Sequence, residues 1–236
     1  MLELHQFSSH WGLPNASPFC MKVEAFLRLA GIEYKNVDVT DPRKGPNGKA
    51  PWIVDEEQTI PDSRFIIEYL NRKHGYPLRN NLGKEQLAQH HTITRMLDES
   101  TYWGMVFERW ILPENAPVTR DSLLQSIPNP MRKLIFVLGQ RSIKSALHGQ
   151  GSGRLSQEEI VTLAKHDIDA LSDLLDDKPY FGGDKPAEID ATTLAYIAGF
   201  ITPKISSQIG DYMREQKNLI AYSKRMMEEV FPEFVE

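Results

Sequence analysis

Only one cysteine, Cys20, occurs in the 236 residues. No disulfide can form within the chain, so an oxidising compartment is not needed to hold it together. A dithiol redox couple of the C-x-x-C kind is excluded for the same reason. Positive charge is not in excess either: 27 Lys and Arg stand against 32 Asp and Glu, for a net charge of −5. That balance argues against a nucleic-acid partner. The basic residues do not cluster beyond adjacent pairs such as Arg43–Lys44 and Arg132–Lys133. Apolar runs such as Leu194 to Ile201 are too short to span a bilayer. The opening Met1-Leu2-Glu3-Leu4-His5 has neither the basic start nor the apolar stretch of a secretory leader. Repeats and low-complexity tracts are absent. The expectation is a cytoplasmic protein with no membrane and no nucleic-acid partner.

Apolar residues make up 41% of the chain, enough to bury a core. The length fits one large domain or two ordinary ones. The pattern favours two. Leu2 to Phe7 alternates like a strand, and Phe19, Val23, Phe26, Leu27 and Ala30 recur at helical spacing up to Gly31. Tyr34 to Val39, Trp52 to Val54 and Thr59-Ile60 read as further strands, the last two joined by the acidic turn Asp55-Glu56-Glu57. Phe65, Ile66, Tyr69 and Leu70 give a second helix. This order suits a small mixed sheet over 1–76. Gly75 to Gly83 reads as a linker. Strand patterns then vanish, and 84–236 carries helical runs at about 85–110, 129–148, 156–176, 188–202 and 212–230. Ser156-Gln157-Glu158-Glu159 is a capping box.

Three short segments in the first part carry chemistry. Ser17-Pro18-Phe19 puts a hydroxyl at a helix start with proline in the first turn. Such an end favours an anion, and a hydroxyl there can donate to a thiolate, although an ordinary cap fits equally well. Lys49-Ala50-Pro51-Trp52 puts proline at the start of a strand. A cis bond would turn the Ala50 N–H and C=O outward, toward a peptide-like ligand, whereas a trans edge proline would do nothing of the kind. Asp62-Ser63 opens the second helix, as a cap or as a holder of a ligand's ammonium and carboxylate.

Taken together, Ser17-Pro18-Phe19, the basic-small-proline step at 49–51 and Asp62-Ser63 resemble the N-terminal domain of glutathione transferases. The first segment is similar to the tau and omega classes. The wider chain resembles the branch that holds Failed axon connections and the metaxins. The marks there are Ser17 to Glu24, Asp62-Ser63 with Ile66-Ile67-Tyr69-Leu70, and Ala170 to Leu175 through Phe181-Gly182-Gly183-Asp184-Lys185-Pro186 to Asp190-Ala191-Thr192. The resemblance implies a thioredoxin-like α/β domain followed by an all-helical domain, glutathione as co-substrate, no metal, and a homodimer. It places Ser17 as the thiol-activating hydroxyl. Ala50, ahead of a cis Pro51, would pair with the cysteinyl part of glutathione. Asp62 and Ser63 would hold the γ-glutamyl end, and Lys49 the glycyl carboxylate. Arg43 and Lys44 lie in the right loop without a motif to fix them.

Acid–base arithmetic supports such a role. Lowering a free thiol, with a pKa of about 8.5, by two units takes about 2.7 kcal/mol. A charge-assisted hydrogen bond supplies roughly 1.5–3 kcal/mol and a helix dipole about 0.3–1 kcal/mol. Cys20, one turn on, is the competing thiol: exposed and acidic, it would support a glutathione-dependent peroxidase or monothiol transfer; buried, it would be inert. A pocket for a small hydrophobic electrophile is expected from Tyr102, Trp103 and Val106, with Phe107 and Trp110 nearby, although any one of them serves a core as readily. His90 and His91 cannot share a helix face, which argues against a metal. Arg95 and Glu99 read as a surface pair. The serine or threonine that the family often has three residues before Asp190 is Ala187, a lost cap worth about 1 kcal/mol. The branch also implies an alternative, a non-catalytic interaction module on the same fold.

Overall fold

The computed structural model describes residues 1–79 and 82–235. Asn80 and Asn81, inside the expected linker, and Glu236 lie outside the described residues. The chain starts with β1 (Leu2–Gln6), α1 (Pro18–Leu29) and β2 (Tyr34–Asp38), then β3 (Trp52–Asp55), β4 (Gln58–Pro61) and α2 (Ser63–His74). The sheet order is β2-β1-β3-β4. β1 and β2 run parallel, from Leu2↔Tyr34 to Gln6↔Asp38, and the other two pairings are antiparallel. A parallel pair needs a crossover, and α1 provides it. α2 stops at Gly75, whose left-handed backbone (φ 70°) suits glycine. This is the small mixed sheet expected of a thioredoxin-like domain.

The rest is helical: α3 (Lys84–Met96), α4 (Tyr102–Trp110), α5 (Ala116–Leu123), α6 (Met131–Gln150), α7 (Gln157–Leu175), α8 (Glu188–Ile201), α9 (Gln208–Glu215) and α10 (Lys217–Val230). α8 is buried on every side from Ile189 to Phe200 and forms the centre of this domain. Its start is held by Asp190, which accepts the backbone N–H groups of Phe181, Gly182 and Ala187 at 2.8–3.0 Å. This carboxylate ties the preceding loop to the helix start and accepts the N-cap N–H, a different task from that of the cap hydroxyl missing at Ala187. The capping box at Ser156 and Glu159 forms in both directions.

Three departures from the sequence reading have local causes. The run at 85–110 is interrupted by a π-helical turn, Leu97–Thr101, between α3 and α4. The run at 212–230 is two helices, because Gln216 is extended (φ −81°, ψ 93°) and Ser207 caps an earlier start. α5 has no counterpart among the expected runs. No described helix is long and apolar enough to cross a membrane.

The two parts meet along α1, which shares a core with Leu4 and Ile53 of the sheet and packs against α8. Every residue from Cys20 to Leu27 is therefore buried, including Lys22 and Glu24. Glu24 is saturated by Gln6, Arg28, Tyr34 and Asn36. Lys22 crosses to the other part and pairs with Asp98 of the π turn at 2.7 Å.

Candidate functional site

Strand register brings the three chemistry-bearing segments to one end of the sheet. β1 meets β3 at His5↔Trp52, and β3 meets β4 at Trp52↔Pro61. In antiparallel pairs, the end of β1, the start of β3 and the end of β4 then lie side by side. The loop to Ser17, the Ala50–Pro51 step and Asp62-Ser63 all leave from that edge. The His5 ring stacks on Trp52 beneath it, centroids 4.9 Å apart.

Ser17 stands at the N-cap of α1 with an extended backbone, but its side chain makes no capping bond. Asn15 instead braces the loop ahead of the helix. Its Oδ1 accepts the Ser17 N–H at 3.0 Å, and its Nδ2 donates to the Phe7 carbonyl at 2.6 Å. The half-buried Ser17 hydroxyl is left to reach the Cys20 thiol below it. Cys20 itself is fully buried, and burial pushes its thiol up to about 12, against the pull of Ser17 and the Phe7 backbone. The exposed, acidic thiol that a Cys20-based peroxidase or monothiol transfer needs is not present, because α1 faces that side chain into the core.

The Ala50–Pro51 bond is cis. No hydrogen bond among the described residues uses the Ala50 N–H or C=O. Lys49 is exposed, and Pro51 is buried. Asp62 has a left-sided backbone rare outside glycine (φ 69°, ψ 125°), and its Oδ1 caps α2 by accepting the Arg64 N–H at 2.9 Å. Ser63 is buried at the first position of α2. Arg43 is bound back to Asp41 at 2.8 Å on the surface and does not point to this edge through any contact.

From the helical part, Tyr102 faces the start of α1, its ring 4.8 Å from Phe19 and 5.3 Å from Trp103. Burial raises the Tyr102 hydroxyl, with Arg109 pulling it down and Cys20 pushing it up. Val106 is buried. Trp110, half-buried, stacks on the buried Phe136 5.2 Å away. Arg95 and Glu99 pair at 3.1 Å, and Glu99 also reaches Arg64 of α2. His90 is buried against the Phe181 carbonyl. Among the described residues no group of three or more His, Cys, Asp and Glu is arranged to hold a metal. An open cleft of about 650 Å³ lies at the other end of α1, lined by Leu27, Arg28, Tyr34 and Val230, away from these groups.

Sequence reasoning missed four residues around this edge: Asn15, Lys22, Asp98 and Arg109. Lys22 had a signal, since it falls between Phe19 and Phe26 on the buried stripe of α1. Arg109 had one too, three residues after Val106 and four after Met105. Arg109 is 6% exposed and donates to the Ala16 and Gly199 carbonyls, both at 2.6 Å. Its guanidinium lies 4.9 Å over the Trp11 ring.

Comparison with known proteins agrees with this architecture. A family model described as the glutathione S-transferase N-terminal domain matches residues 18–115, and one described as the C-terminal domain matches 164–226. The isoprene-epoxide–glutathione S-transferase of Rhodococcus sp. (strain AD45) is 36% identical over 235 residues, covering 96% of this chain and 98% of that protein. Failed axon connections of Drosophila melanogaster is 32% identical, covering all of this chain and 59% of that protein. Human metaxin-1 is 26% identical, with 98% of this chain and 51% of that protein covered. Among solved structures, glutathione transferase F7 from Populus trichocarpa matches with a TM-score of 0.64 at 16% identity, covering 99% of this chain and 97% of that one. The β-etherase LigF from Sphingobium sp. strain SYK-6 matches with a TM-score of 0.65 at 18% identity, covering 98% and 99%. These two share the fold. The 36% relative, aligned nearly end to end, and the two domain models make this chain a member of the glutathione S-transferase family.

Proposed function

We propose that this chain binds glutathione across the sheet edge and activates its thiol for attack on a small electrophile. The observation that carries the reading is the half-buried Ser17 hydroxyl at the N-terminus of α1, which makes no capping bond to its own helix. Glutathione lies along the edge. The Ala50 main chain pairs with its cysteinyl part, Asp62 and Ser63 hold its γ-glutamyl end, and Lys49 meets its glycyl carboxylate. Ser17 donates to the sulfur, and the N-terminal end of α1 adds its partial positive charge. The thiolate then forms a bond to the electrophile beside Tyr102, Trp103 and Val106. An epoxide is the electrophile class to try first, since the 36% relative is named for one. The sulfur–carbon bond forms as the ring carbon–oxygen bond breaks, and the alkoxide takes a proton from solvent.

The test is Ser17→Ala, with the bound thiol's pKa and the turnover of an epoxide as readouts. Loss of a charge-assisted bond should raise that pKa by about one to two units and lower kcat/KM near neutral pH by at least about tenfold. Unchanged values would remove Ser17 from the role.

A second reading is a non-catalytic binding module. It is favoured by the similarity to Failed axon connections and metaxin-1, whose names carry no transfer activity. Retention on immobilised glutathione without turnover would select it, and failure to bind would sink the glutathione site in both readings. We also propose a homodimer. Met131, Leu134, Ile135 and Leu138 form an exposed apolar row along α6, of the kind a second copy covers. Sedimentation as a monomer at micromolar concentration would refute it.

A further inference from the structure

Among the described residues no acid pairs with the buried Arg109 guanidinium. Its two contacts are neutral carbonyls, of Ala16 and Gly199. The adjacent acid, Glu108, is turned to the start of α9, where it accepts from the Ser207 hydroxyl and the Ile209 N–H. Burial holds the Arg109 guanidinium down at about 10. Buried charges are ordinarily paired or bound to a ligand, because removal from water is costly. The ring beneath Arg109 shows a second unmet need: the Trp11 Nε1–H is buried with no acceptor among the described residues. Both sit against the loop that carries Ser17. The Ala16 carbonyl that Arg109 binds belongs to the same peptide unit as the Ser17 nitrogen.

We propose that Arg109 is an electrostatic positioning residue that stabilises a thiolate held at Ser17, in addition to bracing the loop. The inference rests on the glutathione reading above. One peptide unit and one side chain separate the guanidinium from the sulfur site, a span of ~7 Å. At an effective dielectric of about 20, a unit charge at that distance shifts a thiol by about 1.7 pKa units. The other charged and titratable groups facing this corner do not supply that field. From the N-terminal loop His10 is held neutral-side by burial. From α1 come Cys20, a high-pKa thiol, and Lys22, tied to Asp98. From α4 come Tyr102 and Glu108, both raised by burial. From α8 comes Tyr196, raised well above its ordinary value and bonded to Asp98.

The experiment measures the pKa of bound glutathione from its ultraviolet thiolate band in the full-length protein, with Arg109→Gln and Arg109→Lys beside wild type. Gln keeps a donor and removes the charge. Lys keeps the charge and removes the planar fork. The expected result is a rise of about one and a half units in R109Q and of only a few tenths in R109K. Affinity for S-methylglutathione, which cannot form a thiolate, should stay within about twofold in both. Equal shifts in the two variants, or none, would overturn the proposal and leave Arg109 as a brace. If R109Q does not fold, R109K decides: a rise of about a full unit with the charge retained overturns the proposal, and a bound thiol within a few tenths of wild type supports it. Wild-type protein that fails to bind glutathione overturns the functional reading itself, and this inference falls with it.

Discussion

Two cations are buried where the sheet domain meets the helical one, and they are held in opposite ways. Lys22 reaches from α1 to Asp98 at 2.7 Å, with both side chains at most 2% exposed. Tyr196 completes the acid's shell at 3.1 Å. Burial pulls the Lys22 ammonium down and Asp98 pulls it back up. Arg109 reaches from α4 to the Ser17 loop, where it donates to the Ala16 carbonyl and lies over the Trp11 ring, with no acid paired to it among the described residues. The difference separates structure from function at one boundary. A charge matched by an acid projects little field and serves to fix how α1 lies on the π turn. An unmatched charge beside the loop that carries Ser17 keeps its field for whatever anion enters.

The largest effect should follow from breaking the matched pair. Lys22→Met leaves Asp98 buried and uncompensated, and removing one member of such a pair costs about 3–5 kcal/mol. The urea midpoint should fall accordingly. The double variant Lys22→Met with Asp98→Leu should recover most of the loss, because the orphaned charge is gone and the volume is filled. A double variant as unstable as the single would mean that the pair contributes more than charge matching. Arg109→Gln should cost less, about 1–2 kcal/mol: bonds to two carbonyls are weakened, but a charge without a partner leaves the interior. If R109Q destabilised the fold as much as K22M, the contrast between the cations would collapse, and Arg109 would be structural first.

How far the sequence disclosed this boundary depends on distance along the chain. Elements with clear periodicity, β1, α1 and α7 among them, could be read locally, and so could the sheet edge, because proline, serine and aspartate mark its three segments. The cis step at Ala50–Pro51 was visible only as one of two alternatives. α5 was hidden because its eight residues include a proline and present a weak apolar stripe. The π turn was hidden because such a turn changes no composition. The two cations were hidden for a different reason. Lys22 and Asp98 are 76 positions apart, and Arg109 and Ala16 are 93 apart. Periodicity could say that Lys22 and Arg109 fall on buried faces. Nothing local could say what each would meet there.

A third cation gives the contrast its scale, and the smallest predicted effect. Lys73 of α2 pairs with Asp55 at the end of β3 at 2.6 Å, but the ammonium remains 35% exposed. Burial pushes the Asp55 carboxyl up, and the hydrogen bonds from Lys73 and Tyr69 outweigh it, so the net shift is downward from 3.8. A carboxylate held low in the folded state contributes stability that is present above its unfolded pKa. That contribution is lost as pH falls through the folded value. Asp55→Asn should therefore change little near pH 4, relative to its own neutral value, while wild type begins to lose its advantage below about 3.8. The measurement is the urea midpoint from pH 7 down to pH 3, where the wild-type curve should fall more steeply than the variant's. Water already screens this pair, so the difference should be well below that seen for Lys22→Met. A larger acid effect at Asp55 than at the buried pair would show that burial is not what ranks these three cations.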